Sequence, residues 1–272
     1  MQQNIRPAAV AGMFYPAEAT ELTGMLDELL SATGISHADS MKALIVPHAG
    51  YIYSGATAAI AYAALNRSLI RHVVLLGPVH HIAIHGLALP NEDTFATPLG
   101  LIPLDLDGMN KIQQLPQIRM NSMAHEAEHS LEVQLPFLQR TLDAFTLLPL
   151  AVGDATSEEI AEVLEAVWGG PETLILVTSD MSHYLPYGEA QRIDQATADA
   201  ILHLQTPIHH QQACGATPVN GLLRIAAQKS MTCRQLDLCN SGDTAGDKQR
   251  VVGYGAFAFY ETSGIPDHDH AK

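Results

Sequence analysis

The 272-residue chain is 47% hydrophobic and only 16% charged, which is enough apolar material for a sizeable core and too much for global disorder. Its formal net charge of -15, from 14 Lys+Arg against 29 Asp+Glu, argues against a nucleic-acid or anionic-membrane surface, both of which need clustered cations. It suits a protein that handles small molecules or cations. Three cysteines, Cys214, Cys233 and Cys239, without CxxC spacing, make neither a disulfide framework nor a zinc ribbon, and a reduced, cytoplasmic setting is expected. The N-terminus lacks the basic and apolar regions of a signal peptide, and no apolar run is long enough to span a membrane.

In chain order, 18–30 (EATELTGMLDELL) predicts an amphipathic helix, and 42–47 (KALIVP) a short buried strand ended by proline. Residues 54–65 form a small-residue helix suited to close packing on a sheet, and 71–78 (RHVVLLGP) a second buried strand. Residues 129–142 predict a helix that Pro136 kinks or breaks. A strand at 145–153 precedes a helix at 157–168 with Ser157 as N-cap, and a strand at 173–180 follows. Helices at 188–204 and 217–228 and an alternating strand at 250–260 complete the series. Continuous apolar strands separated by helices imply an α/β fold with a central, mostly buried sheet flanked by helices. With no long linker or repeat, residues 1–272 are expected to form one domain, with a core of about 6–260 and a polar tail at 261–272 that carries His268 and His270.

Ligands gather at the strand ends of such sheets. Three strand ends here carry polar signatures: PHAGY with His48, GPVHH with His80 and His81, and SDMSH with Asp180 and His183. Adjacent side chains diverge, so at most one of His80 and His81 is expected to be a ligand. Imidazole is the commonest metal ligand, and histidine with carboxylate suits iron, copper or zinc. Asp180 and His183 fit either a supporting role around ligands or acid/base work. Residues 125–129 (HEAEH) match the HExxH zinc-protease pattern literally, but they open a helix where that motif needs its interior. A charged helix start, with Glu126 and Glu128 at the positive dipole end, is the favoured reading. Cys214 precedes a helix whose dipole favours a thiolate, but each cysteine reads first as a small core residue.

Taken together and in order, RPAAVAGMFYP, PHAGYIYSG, GPVHH, TPLG, EHSLEVQLPFL, SDMSHY, CGATPV and SGDTAGDKQRVVGYGAFAFY carry a resemblance. The chain resembles the Memo-like family, whose bacterial and archaeal members include the AmmeMemoRadiSam system protein B. The resemblance implies a class III extradiol dioxygenase (LigB-like) fold and a crevice for a redox metal. It implies His48 and His80 as metal ligands and matches Asp180 and His183 to the family's SDxxH site. The eukaryotic relatives add a cysteine ligand, whose position the resemblance puts at Thr244, with Asp243 or water standing in for it. Iron is then the expected metal, ahead of copper or zinc. The function so implied is a non-haem iron-type oxidoreductase or dioxygenase on a small aromatic or phenolic substrate, with catalytic roles for Asp180, His183 and His129, the last set beside Glu128 in the crevice wall. The alternative is a peptide- or partner-binding module with a vestigial metal site, which the missing cysteine favours.

Overall fold

The computed structural model describes residues 4–33 and 41–261, so all of the tail expected at 261–272 except its first residue, and with it His268 and His270, lies outside the described residues. In chain order the elements are β1 (Ile5–Arg6), α1 (Ala19–Ser31), β2 (Met41–Val46), α2 (Tyr51–Ala63), β3 (His72–Pro78), β4 (Leu87–Leu89), β5 (Thr94–Thr97), β6 (Gly100–Pro103), α3 (Leu106–Ile112) and β7 (Ile118–Met120). Next come α4 (Met123–Glu126), α5 (His129–Glu132), α6 (Leu135–Thr141), β8 (Thr146–Val152), α7 (Ser157–Ala166), β9 (Thr173–Thr178) and β10 (His183–Leu185). The series ends with α8 (Tyr187–Leu202), α9 (Ala216–Gln228), β11 (Thr232–Asn240) and β12 (Val251–Tyr260).

The main sheet runs β10-β12-β2-β9-β3-β8-β4-β7, with β11 also paired to β12; β1, β5 and β6 form a small second sheet. At its centre β2, β9, β3 and β8 are mutually parallel. Every residue of β2 and β9 is buried, as continuous apolar runs demand of a sheet covered on both faces. Because β2, β9 and β3 are parallel neighbours, their C-terminal ends lie side by side, which brings the three expected polar signatures to one edge. Helix α2 packs on β2, β11 and β12, and α9 packs on β3 and β9. The α7–α9 contact is so close that a Cβ on Gly221 would sit 2.1 Å from Ile160 Cγ2. Among the described residues, no helix is long and apolar enough to cross a membrane.

Four local expectations change. Thr156, not Ser157, caps α7, in a reciprocal capping box with Glu159. The helix expected over 129–142 is two short helices, and Pro136 lies in the first turn of the second, where its missing N–H costs nothing. The HExxH stretch is not one helix: α4 ends at Glu126, and Glu128 is extended (φ -78°, ψ 125°) and caps α5 by accepting from Ser130 N. His125 and His129 therefore belong to different helical turns. Strand β11, not expected from sequence, is a half-exposed polar segment that pairs with β12 across an irregularity at Gln235/Asp237.

Candidate metal centre

His48 follows β2 and is 2% exposed. Its backbone N donates to Asp180 Oδ1 (2.7 Å), and its ring Nδ1 is 2.8 Å from Thr178 Oγ1. Gln134 Nε2 holds that hydroxyl in place (2.8 Å) while also donating to Pro47 O (2.9 Å), and Tyr62 OH donates to Gln134 Oε1 (2.8 Å). With Nδ1 so engaged, Nε2 faces Cys214 Sγ at 3.2 Å. Cys214 arrives on the segment that leads into α9, anchored where its backbone N donates to Asp180 O (3.1 Å) and Gly215 N donates to Ser179 Oγ (2.9 Å).

His80 follows β3. Its backbone N donates to Glu128 Oε2 (2.6 Å), and its Nδ1 donates to Glu128 Oε1 (2.9 Å). His129 opens α5, with Nδ1 3.3 Å from the same oxygen, and its ring stacks on that of His80 (centroids 4.5 Å, 27°). Both rings stand edge-on to His48, at 5.3 and 5.5 Å between centroids. Phe14 packs against the His129 ring, with centroids 4.6 Å apart. Helix α5 can approach because position 77 is glycine: a Cβ there would lie 2.7 Å from both Ser130 Oγ and Thr178 Cγ2.

One ligand atom from each of His48, His80 and Cys214 lies within 4.8 Å of the others, and the same holds for His80, Glu128 and His129. Burial holds the His48 imidazole neutral, its pKa pushed down to about 3, with repulsion from His80 adding to the effect. Burial likewise pushes His129 down to about 4. Burial and the nearby Asp180 push the Cys214 thiol up to about 12, which goes against the thiolate that a helix dipole would favour. Burial also raises Asp180 above the usual carboxylate range, although the backbone N–H of His48 opposes it. For Glu128 burial works against ionisation, but the His80 ring and the Ser130 and His80 backbone N–H groups outweigh it and lower the pKa to about 2. Exposure of the side chains rises from 2% at His48 through 17% at His129 to 30% at His80, so the site opens on the His80 side. There a cavity of about 320 Å³, lined by His80, Cys214, Ile82, Ile84, His210 and Thr217 among others, meets it.

His48, His80, His129 and Asp180 are thus brought together. His183 lies close enough to act on His48 and Asp180 through its charge, but its Nδ1 donates to Met181 O (2.8 Å), not to either of them. Neither Thr244 nor Asp243 fills the third ligand position. Thr244 Oγ1 donates to Ser241 O, while Asp243 accepts from Tyr187 OH and Asn240 N. The thiol beside His48 and His80 is Cys214, whose only sequence signal is its place in CGATPV before a helix. His125 is turned away from the cluster, its Nε2 donating to Ala88 O (2.9 Å), which removes the zinc-protease reading of HEAEH. His85 lies on the exposed rim, 3.5 Å from Asp154.

The fold and the cluster define an α/β protein with histidine, cysteine and carboxylate donors gathered at its parallel strand ends. A family profile described as Memo-like protein matches residues 6–258. A MEMO1 family protein of Aquifex aeolicus is 37% identical over 265 residues, covering 92% of this chain and 97% of its own length. One from Archaeoglobus fulgidus is 34% identical, covering 94% and 99%. The chain belongs to the Memo-like family. The crystal structure of an uncharacterized protein from Escherichia coli K12 is similar in fold, with a TM-score of 0.50 at 10% identity, over 79% of this chain and 99% of that one.

Proposed function

We propose that the chain is a metal-dependent oxidoreductase with a class III extradiol dioxygenase (LigB-like) fold, working in the cytoplasm on a small aromatic or phenolic substrate. The observation that carries this reading is the convergence of His48, His80 and Cys214 donor atoms within 4.8 Å. The residues fit a soft, redox-active first-row metal. His48 is neutral, so a nitrogen lone pair is available, and a bound cation would displace the thiol proton of Cys214. Two imidazoles and a thiolate suit iron or copper better than a hard cation, and iron is our choice. When bound, it would supply redox chemistry at open coordination positions.

The remaining roles belong to this chain's own residues. The apolar wall of Ile82 and Ile84 would seat an aromatic ring and exclude water. His129, held neutral by burial and 17% exposed, would act at a substrate hydroxyl by accepting its hydrogen bond and orienting it. Asp180 would hold the His48 loop through its bond to the backbone N, and His183 would tune the charge around it. The binding-module alternative drew its support from an absent thiol, and Cys214 takes that support away. Metal analysis of tag-free protein, with His48→Ala and His80→Ala, tests the proposal. Metal in the parent and loss in both variants is expected; equal content in all three overturns it.

A further inference from the structure

Glu128 is 2% exposed, and among the described residues the hydrogen bonds its carboxylate accepts come from backbone N–H groups and imidazole. Its Oε2 accepts from His80 N at 2.6 Å; its Oε1 accepts from His80 Nδ1 at 2.9 Å and from Ser130 N at 2.9 Å, with His129 Nδ1 at 3.3 Å. Grouped by proximity alone, Glu128 looks like a ligand in a second cluster with His80 and His129. Its hydrogen bonds assign it differently. A carboxylate has only acceptor sites, and three chain donors already occupy those of Glu128 at 2.6–2.9 Å, two of them from His80 itself. An ionised acceptor 2.9 Å from Nδ1 also requires that Nδ1 carry the proton.

We infer that Glu128 is a positioning residue: its two oxygens grip the backbone N–H and the Nδ1–H of His80, fix that ring as the Nδ1–H tautomer, and leave Nε2 as its metal-binding lone pair. The inference deepens the proposed metal centre and rests on that reading for its purpose, though not for its geometry. A histidine ligand whose other nitrogen is held by a carboxylate is a more basic and better aimed donor, and loss of such a partner weakens metal binding about 10–100-fold. The grip also joins two elements: His80 follows β3, whereas Glu128 caps α5, so the helix cap and the ligand orientation are one interaction.

Long-range proton–nitrogen NMR of metal-free, 15N-histidine-labelled protein at pH 8 reads the tautomer directly, with His80 assigned through His80→Gln. The expected result is an Nδ1–H tautomer for His80 in the parent and a mixture of both tautomers in Glu128→Gln. Cobalt(II) titration, followed by absorption, should then give about 10–100-fold weaker binding for Glu128→Gln. Nε2–H at His80 in the parent overturns the inference without recourse to any variant. An unchanged His80 tautomer and unchanged cobalt affinity in a folded Glu128→Gln overturns it as well. A parent protein that shows the Nδ1–H tautomer but binds no cobalt would count against the metal centre while leaving the positioning geometry intact.

Discussion

His48 Nε2 lies 3.2 Å from Cys214 Sγ, although 166 residues separate the two in the chain. The contact exists because β2 and β9 are parallel neighbours: His48 leaves the end of one, and the segment after the other ties Cys214 down through Asp180 and Ser179. Cys214→Ser is therefore expected to lower metal affinity at least as much as the about 10–100-fold that loss of a supporting partner costs. Thr244→Ala and Glu126→Gln should leave it unchanged. Metal titration of the three variants checks this.

The buried pair of Arg6 and Glu132 sets the cover over His129. Arg6 Nη1 donates to Glu132 Oε2 at 2.6 Å, and the same carboxylate accepts from Ala9 N, Val10 N and Tyr15 OH. Those bonds hold the 9–15 segment that carries Phe14. Breaking a buried pair by removing one partner costs about 3–5 kcal/mol, so Arg6→Ala should be destabilised by that much in urea unfolding. Loss of cover over His129 should accompany it, read as an increased chemical-modification rate of that imidazole by diethyl pyrocarbonate.

Gly77→Ala places a methyl 2.7 Å from Ser130 Oγ and Thr178 Cγ2 and 2.9 Å from Leu131 Cδ2. The sheet and α5 must part to admit it, which costs about 1–3 kcal/mol as overpacking does. Because Glu128 caps that helix, metal affinity should fall together with stability. A thermal melt and a metal titration on the same preparation test the link.

Stability of the metal-free protein should fall on the acid side, beginning near pH 6.5. His48 and His129 have folded-state values of about 3 and about 4, below the ordinary histidine value of 6.5. Between those limits the unfolded chain binds more protons, so stability is complete above pH 6.5 and is lost as pH falls toward the folded values. Each such group contributes a slope of up to about 1.4 kcal/mol per pH unit. Glu128, lowered to about 2, adds the same sign below its ordinary 4.5, while the raised Asp180 opposes it in the carboxylate range. Urea midpoints from pH 8 to pH 4 measure the effect, and His129→Gln should flatten the curve.

Much of this was legible in residue order. The segments KALIVP, RHVVLLGP and TLILVTSD each hold a continuous apolar run of at least four residues, which suits a short strand buried on both faces. Proline or polar residues stop each run, which marks His48, His80 and Asp180 as strand-end residues before any contact is known. The small strands β4 to β7 and the polar β11 carry no such pattern, because their burial comes from neighbours distant in sequence. HEAEH is a case where a local pattern misleads. Its spacing presumes a continuous helix, and the extended backbone at Glu128 ends that continuity.

The sequence by itself determined the buried strands, the helices between them and the histidines that emerge at the strand ends, since hydrophobic runs and chain-breaking residues act locally. Only the tertiary structure decided which donors meet. Strand order places β9 between β2 and β3, so Cys214 reaches His48 while Thr244 bonds back to Ser241 within its own turn. Packing of α5 against Gly77 brings Glu128 to His80. A ligand set is a property of distances between segments far apart in the chain, and those distances exist only once the sheet has assembled.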